Sequence, residues 1–427
     1  MNATILFGAF VVLMVAGVPL VVALGLAAAA TIAHANMSMM SVPTTVYGGI
    51  AKYPLLALPL FVLAGLVFDR TGMAASLVKF ASSIVGNRRG GLAAAAIIVC
   101  MILGGVSGSG VADAAAVGAI MIPAMAKAGY PKPFSASLIA AGGTTDVLIP
   151  PSVALIVYSI LVPQANVQAL FAAGIVPGIL AGIALIGVGV WLSVRHGFGG
   201  TEREQAPPFW KSLREALWAL ASPVVILGGM RSGLFTPTEA AVVAVVYGLA
   251  IGIFVYEGLS LKEFWNVLAE SAEISAVILL IVGLASVFGW AIDTIGVFNA
   301  FAKSLTASGT SETAVLIAIT VMLMIAGTAL DAIATYFIFL PFLIPVAIAY
   351  NWDLVWFGVI ITLNVAIGAI TPPTAVNLMV TSRLAGIPIE STFKWALWMT
   401  GALTAVLLLL TFVPEITLFL PRKLGYL

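Results

Sequence analysis

Long apolar runs constrain the fold of this chain more than any other feature of its sequence. Four of them extend from Ile5 to Ala30, from Leu170 to Val194, from Ala241 to Tyr256 and from Thr400 to Pro421. About 20 consecutive apolar residues span the hydrocarbon core of a bilayer as a helix. Each run therefore predicts a membrane helix, and the first run, too long for a secretory signal, predicts a retained one. Since 62% of the 427 residues are hydrophobic and 8% are charged, we expect an all-α membrane protein with roughly ten to a dozen crossings or half-crossings.

The scarcity of charged and reactive side chains excludes several classes of function. The net charge of +1 comes without a basic cluster, so no nucleic-acid partner is expected. Cys100 is the only cysteine, which excludes a disulfide framework and a cysteine-based metal cluster. The sequence contains no GK[ST] phosphate loop, so the chain is not expected to be an ATP-driven pump. No organic cofactor is expected either. The lipid bilayer is expected to surround most of the chain.

A polar stretch divides the chain into two halves. Residues 195–215 include four basic side chains, which predicts a cytoplasmic linker. Residues 1–194 then form a first repeat half and residues 216–427 a second. The amphipathic stretches from Met73 to Ile84 and from Leu261 to Ile274 predict interfacial arms that brace a mobile unit.

The second half repeats a pattern of residues that occurs in the first half. An aspartate and a proline recur with the same spacing at an offset of 331 − 113 = 218, namely Asp113 and Pro123, then Asp331 and Pro341, and each run closes with a tyrosine, Tyr130 or Tyr350. A Pro-Pro-hydroxyl triplet occurs at 150–152 and again at 372–374, an offset of 222. Two such coincidences favour an internal duplication over independent kinks in two helices.

Each half also contains an interruption that a membrane helix does not tolerate without a reason. A Pro-Pro pair removes backbone donors and ends a helix, which predicts unwound segments near 142–152 and near 368–378. The segments near 104–119 and near 326–337 are rich in glycine, serine, threonine and alanine and predict the tips of re-entrant hairpins. Unwound backbone at membrane depth survives where it lines a cavity or binds an ion, so paired breaks indicate a binding site near the midplane.

Three carboxylates lie in these special segments. A charge at membrane depth costs at least ~2.5 kcal/mol, so each needs a partner, a cavity or a helix N-terminus. Asp113 and Asp331 are candidates either for capping the following helix or for contacting an ion or substrate. Asp146 has no acidic counterpart in the second half and is the most individual feature of the chain.

These motifs resemble those of the large membrane subunit, the DctM family, of tripartite ATP-independent periplasmic (TRAP) transporters. The resemblance covers the whole chain and is carried by SGSGVADAAAVG (107–118), GGTTDVLIPPS (142–152), LFTPTEAAVVAVVYG (234–248), ALDAIATYFIFLPFLIPVA (329–347) and ITPPTAVNL (370–378). It implies an elevator-type fold of two inverted repeats in the bacterial inner membrane and sodium-coupled uptake of a small organic anion, such as a dicarboxylate or sugar acid. It also implies two partners, a small DctQ-like membrane subunit and a periplasmic DctP-like substrate-binding protein.

The resemblance also implies two sodium sites. Carried onto this sequence, the candidate sodium ligands are Ser107, Ser109, Gly110, Asp146, Ile149 and Pro151 in the first half, and Gly327, Thr328, Gly368 and Thr371 in the second. Asp146 departs from the family pattern, which has glycine there. For the substrate we expect a positive and polar pocket, with contacts from Ser152, Thr374, Asn377, Asp113 and Asp331.

Three alternatives remain open from the sequence. An intramembrane protease is suggested by GVSG at 105–108 and by the membrane aspartates, but His34 and His196 lie outside the apolar segments, so no general base is available for a serine nucleophile. A channel fits the duplicated breaks less well than alternating access does. A sodium–dicarboxylate symporter that works without a binding protein is the main alternative. The sequence therefore predicts a transporter and not an enzyme.

Overall fold

The computed structural model describes residues 2–85, 89–199, 207–256, 258–296, 304 and 309–427, and the regular elements in this part of the chain are all helices. Up to the polar stretch they are α1 (Asn2–Val15), α2 (Leu20–His34), α3 (Ser41–Ile50), α4 (Ala57–Arg70), α5 (Met73–Val85), α6 (Gly91–Ser107), α7 (Gly110–Lys127), α8 (Lys132–Gly142), α9 (Val153–Leu161) and α10 (Val167–His196). After it come α11 (Phe209–Arg231), α12 (Pro237–Phe254), α13 (Leu261–Ile295), α14 (Glu312–Ala329), α15 (Ala332–Ala349), α16 (Leu354–Gly368), α17 (Val376–Ala385), α18 (Phe393–Phe412) and α19 (Pro414–Lys423). Nine helices in these ranges are long and apolar enough to cross a membrane, which confirms the predicted all-α membrane fold.

Two of the four apolar runs turn out to contain two helices each. The run from Ile5 to Ala30 breaks between α1 and α2, where Gly17 has φ +80° and Pro19 precedes the first residue of α2. The run from Thr400 to Pro421 breaks at Val413, and Pro414 is the first residue of α19. Hydropathy measures only the length of an apolar stretch, whereas proline at a helix start sets where the chain changes direction. The other two runs lie within α10 and α12, apart from the last two residues of the second.

The two predicted interfacial arms differ in structure. The stretch from Met73 to Ile84 forms the separate helix α5. The stretch from Leu261 to Ile274 is instead the first part of α13, a continuous helix of 35 residues. Such a helix is about 50 Å long, longer than the hydrocarbon core of about 30 Å, so a helix of this length either tilts or extends beyond the apolar layer. The predicted linker is also shorter than 195–215, because α10 continues to His196 and α11 begins at Phe209; residues 200–206 lie outside the described ranges.

Helix boundaries place the internal repeat at an offset of 222. The 18-residue helices α7 and α15 begin at 110 and 332, and α8 and α16 begin at 132 and 354. Two hydrogen bonds join residues that are related by the same offset, Gly90 with Glu312 and Tyr130 with Trp352. The Tyr130 hydroxyl accepts a hydrogen bond from the Gly90 amide at 3.0 Å, and Trp352 donates its indole N–H to Glu312 at 2.8 Å. The offset of 218 predicted from the Asp and Pro pattern is therefore wrong. In the correct register Thr335 is the counterpart of Asp113, and Gly368 is the counterpart of Asp146.

Thirteen of the described helices fall into two groups that contact each other. Helices α2, α3, α4, α12 and α13 pack mainly on one another, and we call them the scaffold. Helices α6–α9 and α14–α17, which we call the core, contain both hairpins and both helix breaks. Contacts of α4 with α6 and of α13 with α15 join the two groups. The interrupted segments therefore lie against scaffold helices α4 and α13.

Candidate functional site

Two hairpin tips, one from each half, form part of the candidate site. Helix α6 ends at Ser107, Gly108 adopts φ +64°, and Ser109 precedes α7. In the second half α14 ends at Ala329 and Asp331 is the N-cap of α15. Only two residues separate the arms of each hairpin, so a helix C-terminus and a helix N-terminus lie side by side at each tip. The tips lie within the predicted segments 104–119 and 326–337.

Each half also contains a broken helix. Helix α8 ends at Gly142, and after one 3₁₀ turn the chain continues irregularly until α9 begins at Val153. Helix α16 ends at Gly368 and α17 begins at Val376. Both breaks contain a cis Pro–Pro bond, at 150–151 and at 372–373. The breaks coincide with the predicted unwound segments near 142–152 and 368–378.

One cavity of about 510 Å³ is bordered by both tips and both breaks. Scaffold helices α4 and α13 close its remaining side. The polar side chains that line it belong to Asp69, Ser107, Ser109, Thr144, Glu273, Asp331 and Asn377. The duplicated interruptions thus converge on a single site.

Tip and break of the first half pack backbone against backbone. A methyl group on Gly110 would lie 2.5 Å from the Gly143 carbonyl oxygen, and one on Gly108 would lie 2.8 Å from the Pro151 carbonyl oxygen. Separations below 3.0 Å leave no room for a side chain. Glycine at these positions allows carbonyl oxygens of the break to approach the tip.

The second half makes the same kind of contact with other residues. A methyl group on Gly368 would lie 2.5 Å from Cα of Gly327, and one on Gly327 would lie 2.9 Å from the Val365 carbonyl oxygen. The Thr374 hydroxyl and the Ala375 amide both donate to the Thr328 carbonyl oxygen. Of the candidate sodium ligands, Gly110 and Pro151 in the first half and Gly327, Thr328 and Gly368 in the second therefore lie at a tip-to-break contact.

Remaining candidate ligands lie in the break segments. The Thr371 hydroxyl donates to the Ile367 carbonyl oxygen at 2.7 Å. Ile149 packs against Gly178, where a methyl group would lie 2.7 Å from its Cγ1 atom. Neither residue is among those that border the cavity.

Of the candidate substrate contacts, two line the cavity and three do not. Asn377 borders it and donates its side-chain amide to the Ala140 carbonyl oxygen at 3.2 Å, which joins the two halves. Asp331 borders it and accepts a hydrogen bond from the Ala334 amide at 2.7 Å. Ser152 is buried, caps α9 and donates to the Val147 carbonyl oxygen. Thr374 is exposed outside the cavity lining, and Asp113 is buried behind the first tip.

The sequence analysis did not predict the acidic side chains that the scaffold contributes to the cavity. Asp69 of α4 and Glu273 of α13 border the cavity together with Asp331, and no lysine, arginine or histidine among the described residues lines it. The side chains alone therefore place carboxylates in a largely apolar lining, and the expected positive pocket, which depends on bound sodium, stays a prediction. Asp69 ends a long apolar run, which is the only sequence signal that marks it.

A comparison with known protein families decides what this arrangement belongs to. The family described as the DctM component of the tripartite ATP-independent periplasmic transporters matches residues 7–416. The chain belongs to the DctM family. It is therefore the large permease of a TRAP transporter, a multi-pass protein of the bacterial inner membrane and not an enzyme, which confirms the resemblance and removes the protease alternative.

Individual relatives agree with this assignment. The chain is 40% identical to the isethionate TRAP transporter permease protein DctMQ of Oleidesulfovibrio alaskensis over 97% of its own length and 66% of that protein's. It is 37% identical to the C4-dicarboxylate TRAP transporter large permease protein DctM of Pseudomonas aeruginosa, over 94% of both chains. It is also 37% identical to the sialic acid TRAP transporter large permease protein SiaM of Vibrio cholerae, over 89% of both chains.

One solved structure supports the fold, and the comparison with it extends no further than the fold. The YdaH transporter of Alcanivorax borkumensis superposes with a TM-score of 0.65 at 14% identity, over 89% of this chain and 90% of its own. The arrangement of helices is therefore shared with another membrane transporter despite very different sequences.

Proposed function

We propose that this permease couples the uptake of a small organic anion to sodium ions. The observation that carries the proposal is the single cavity bordered by both hairpin tips and both helix breaks. Broken helices in corresponding positions of two halves are typical of substrate and coupling-ion sites in secondary transporters. In this reading Ser107, Ser109, Gly110 and Asp146 belong to one sodium site, with Ile149 and Pro151 beside them. Gly327, Thr328, Gly368 and Thr371 belong to the other.

The charges around the cavity favour coupling to a cation. Asp69, Glu273 and Asp331 border it without a basic partner in the described lining. An anion that enters a site of low dielectric beside carboxylates is repelled. Sodium ions bound at the tips, together with the N-termini of α7, α9, α15 and α17, supply the positive potential that the side chains lack. Anion binding then depends on prior or simultaneous cation binding.

The relatives and the size of the cavity support the proposed substrate class. The names of the relatives mention isethionate, C4-dicarboxylates and sialic acid, which are all small organic anions. A volume of about 510 Å³ lies within the range of roughly 300–1,000 Å³ that is common for small-molecule sites. Among the side chains, Asn377 is the strongest candidate for a substrate contact because it borders the cavity and joins the two halves.

The proposed partners are a small DctQ-like membrane subunit and a periplasmic DctP-like binding protein. The chain spans 66% of the isethionate permease DctMQ and 60% of the sialic acid permease SiaT of Haemophilus influenzae, so both relatives contain a further region that this chain does not match. We propose that this region corresponds to the small DctQ-like subunit. The binding protein would deliver the anion from the periplasm.

Movement of the core against the scaffold would carry the anion across the membrane. The cavity lies between these two groups of helices, with tips and breaks on the core and α4 and α13 on the scaffold. An elevator mechanism requires such a boundary, because the substrate-binding unit travels while its frame stays in place. The scaffold then provides the fixed wall of the cavity.

Uptake of labelled C4-dicarboxylates, isethionate and sugar acids into proteoliposomes tests the proposal. The permease is reconstituted under an inward sodium gradient with and without the small subunit and the binding protein. We expect uptake that requires sodium and all three components. Uptake by the permease alone would favour a symporter that needs no binding protein, and sodium-independent passive flux would contradict both.

A further inference from the structure

A second cavity of about 510 Å³ lies between scaffold and core, away from the candidate site. Helix α13 and the segment between α3 and α4 form its scaffold wall, and the end of α9 together with α15 forms its core wall. Its volume suits a small organic molecule. The polar side chains that line it belong to Lys52, Ser286, Trp290, Asp293 and Tyr336.

One face of α13 lines both cavities. Residues 274, 278 and 281 border the candidate site, and residues 285, 289 and 293 border the second cavity. Steps of three or four residues keep all six on the same side of a helix. At 1.5 Å per residue, the centres of the two stretches lie roughly 20 Å apart along the helix axis. The two cavities therefore follow each other along one surface of the scaffold.

The polar stretch at 195–215 predicts which side of the membrane the second cavity faces. With this stretch in the cytoplasm, as its basic residues predict, α11 and α12 cross the membrane out and back, since both are long and apolar enough to span it. Helix α13 then begins on the cytoplasmic side and ends on the periplasmic side. The second cavity, near its C-terminal end, thus lies toward the side from which the proposed binding protein delivers the anion.

Lys52 brings a positive charge to this cavity. Its Nζ atom donates to the Ile160 carbonyl oxygen at 3.3 Å, and it forms no ion pair with a carboxylate of the described residues. An ammonium group has three N–H donors, so two remain for a ligand. The indole N–H of Trp290 donates to no group in the part of the chain that the structure describes. Charged and neutral N–H donors of this kind bind the oxygens of a carboxylate or sulfonate.

The scaffold offers different charges to the two cavities. It contributes the carboxylates of Asp69 and Glu273 to the candidate site, and Lys52 together with the exposed carboxylate of Asp293 to the second cavity. An anion is repelled by two like charges at the first place and meets balanced charges at the second. Without bound sodium, the second cavity is therefore the more favourable place for an anion.

We propose that the second cavity is a receiving site, which binds the organic anion through Lys52 and Trp290 before the anion enters the candidate site. The carboxylate or sulfonate accepts hydrogen bonds from the ammonium group and the indole N–H, and the carbon chain faces Phe337 and Leu340 of α15. Movement of the core along α13 would bring the candidate site to the bound anion. The inference rests on the proposed function in taking a small organic anion as the substrate, and binding at this cavity requires no sodium.

Modification of a single cysteine tests whether the cavity attracts anions. In a Cys100→Ala background, Gly289→Cys places one thiol in the cavity, where its Cβ atom would lie 3.7 Å from Cγ of Pro341. The full chain in phosphatidylcholine nanodiscs reacts with anionic 2-sulfonatoethyl or cationic 2-(trimethylammonio)ethyl methanethiosulfonate in sodium-free buffer. We expect Lys52→Gln to lower the ratio of the anionic to the cationic rate at least about fivefold, because one positive charge near the thiol is lost.

Matched variants separate the charge from the hydrogen bond to α9. Lys52→Arg keeps the charge and should keep the wild-type ratio, whereas Asp293→Asn removes a carboxylate and should raise it. Ser286→Cys provides a second thiol in the same cavity. Ser391→Cys, at an exposed position before α18, should show no change of ratio in Lys52→Gln.

Competition by known anions tests whether the cavity binds them. The neutral reagent 2-hydroxyethyl methanethiosulfonate is used with choline isethionate or choline succinate, against choline chloride at equal ionic strength. A bound anion slows the reaction by the factor 1 + [L]/Kd, so we expect roughly threefold slowing once the anion reaches about twice its Kd. Lys52→Gln should abolish this protection, and Trp290→Phe should raise the anion concentration needed for it.

Each outcome bears on the proposal. Reagent ratios that Lys52→Gln leaves unchanged at both Gly289→Cys and Ser286→Cys would overturn it, and so would equal rates in isethionate, succinate and chloride. Protection by phosphatidylglycerol in the nanodisc, with no effect of either organic anion, would overturn it by assigning the cavity to a lipid headgroup. Neither assay requires sodium, partner subunits or transport, so a failed uptake assay contradicts the proposed function and leaves anion binding at this cavity standing.

Discussion

Asp331 combines two roles that the sequence leaves open, because it caps α15 and borders the cavity. Its Oδ1 accepts a hydrogen bond from the Ala334 amide at 2.7 Å, the geometry of an N-cap. Asparagine caps a helix about as well as aspartate, whereas alanine costs about 1 kcal/mol. We therefore expect Asp331→Asn to keep the wild-type free energy of unfolding and Asp331→Ala to lower it by that amount, as measured by chemical denaturation in detergent.

The same pair of variants distinguishes the cap from a charged contact. If the carboxylate charge serves binding, Asp331→Asn will fold normally and still lose sodium-dependent uptake. Equal stability of the two variants would contradict the capping role.

Individual residues differ in how far their sequence neighbourhood predicts their environment. Asp331 follows a helix end and precedes an apolar run, so a cap was among its predicted roles. Ser152 was predicted to contact substrate, but its hydroxyl caps α9 and donates to the Val147 carbonyl oxygen. Local sequence shows that a hydroxyl stands at a helix start, and only the folded chain shows whether that start faces the cavity.

At the scale of helices, the contact between tip and break depends on glycine. Methyl groups on Gly110 and Gly368 would each lie 2.5 Å from a backbone atom of the opposing segment. Backbone cannot rotate away as a side chain can, so we expect Gly110→Ala and Gly368→Ala each to destabilise the fold by about 1–3 kcal/mol. Sodium-dependent uptake should fall in both, because the carbonyl oxygens of the break are displaced from the tip.

A matched control is available in α18. A methyl group on Gly401 meets no atom within 4 Å, and alanine in a helix is favoured over glycine by about 0.5–1 kcal/mol. Gly401→Ala should therefore be neutral or slightly stabilising, with unchanged uptake. Normal stability of Gly110→Ala, measured in the same denaturation assay, would show that tip and break are not packed as described.

The duplicated elements were predictable from the sequence, but their register was not. The Pro-Pro triplets gave the correct offset of 222, whereas the Asp and Pro pattern gave 218. Residues of one type need not occupy equivalent positions: Ser109 precedes α7 as Asp331 precedes α15, and Gly129 and Asn351, each with positive φ, follow α7 and α15. Helix starts and ends are set by caps and turns, which different residues provide equally well.

At the scale of the whole molecule, cavities mark the boundary between scaffold and core. The candidate site occupies one stretch of it, against residues 273–281 of α13, and a second cavity of about 510 Å³ lies farther along α13, against residues 285–296. Residues 336–345 of α15 line the opposite wall of that second cavity. Such contacts join residues far apart in the chain, which explains why the sequence did not predict Asp69 and Glu273 as neighbours of the site. We expect a core that moves against the scaffold, as proposed above, to use the unfilled space on both stretches.

A disulfide across this boundary tests whether transport requires that movement. Cβ atoms at Gly65 of α4 and Ser107 of the first tip would lie 3.4 Å apart, and so would those at Thr71 and Gly252, which both belong to the scaffold side. These separations are close to the range of about 3.5–4.5 Å found in disulfides. In a Cys100→Ala background, we expect oxidation to abolish uptake by Gly65→Cys/Ser107→Cys and to leave uptake by Thr71→Cys/Gly252→Cys unchanged.

Comparing each variant before and after oxidation separates the crosslink from the substitutions, since Ser107 is itself a candidate sodium ligand. A second pair covers the case in which Ser107→Cys is already inactive: Cβ of Gly289 on α13 would lie 3.7 Å from Cγ of Pro341 on α15, so Gly289→Cys/Pro341→Cys joins scaffold and core at another place. Both crosslinks should block uptake and be reversed by reductant, because a moving core breaks every contact along the boundary. If a crosslinked core still transported the anion, the fixed helices would have to contain the whole pathway, and the elevator mechanism would give way to gating at the hairpin tips.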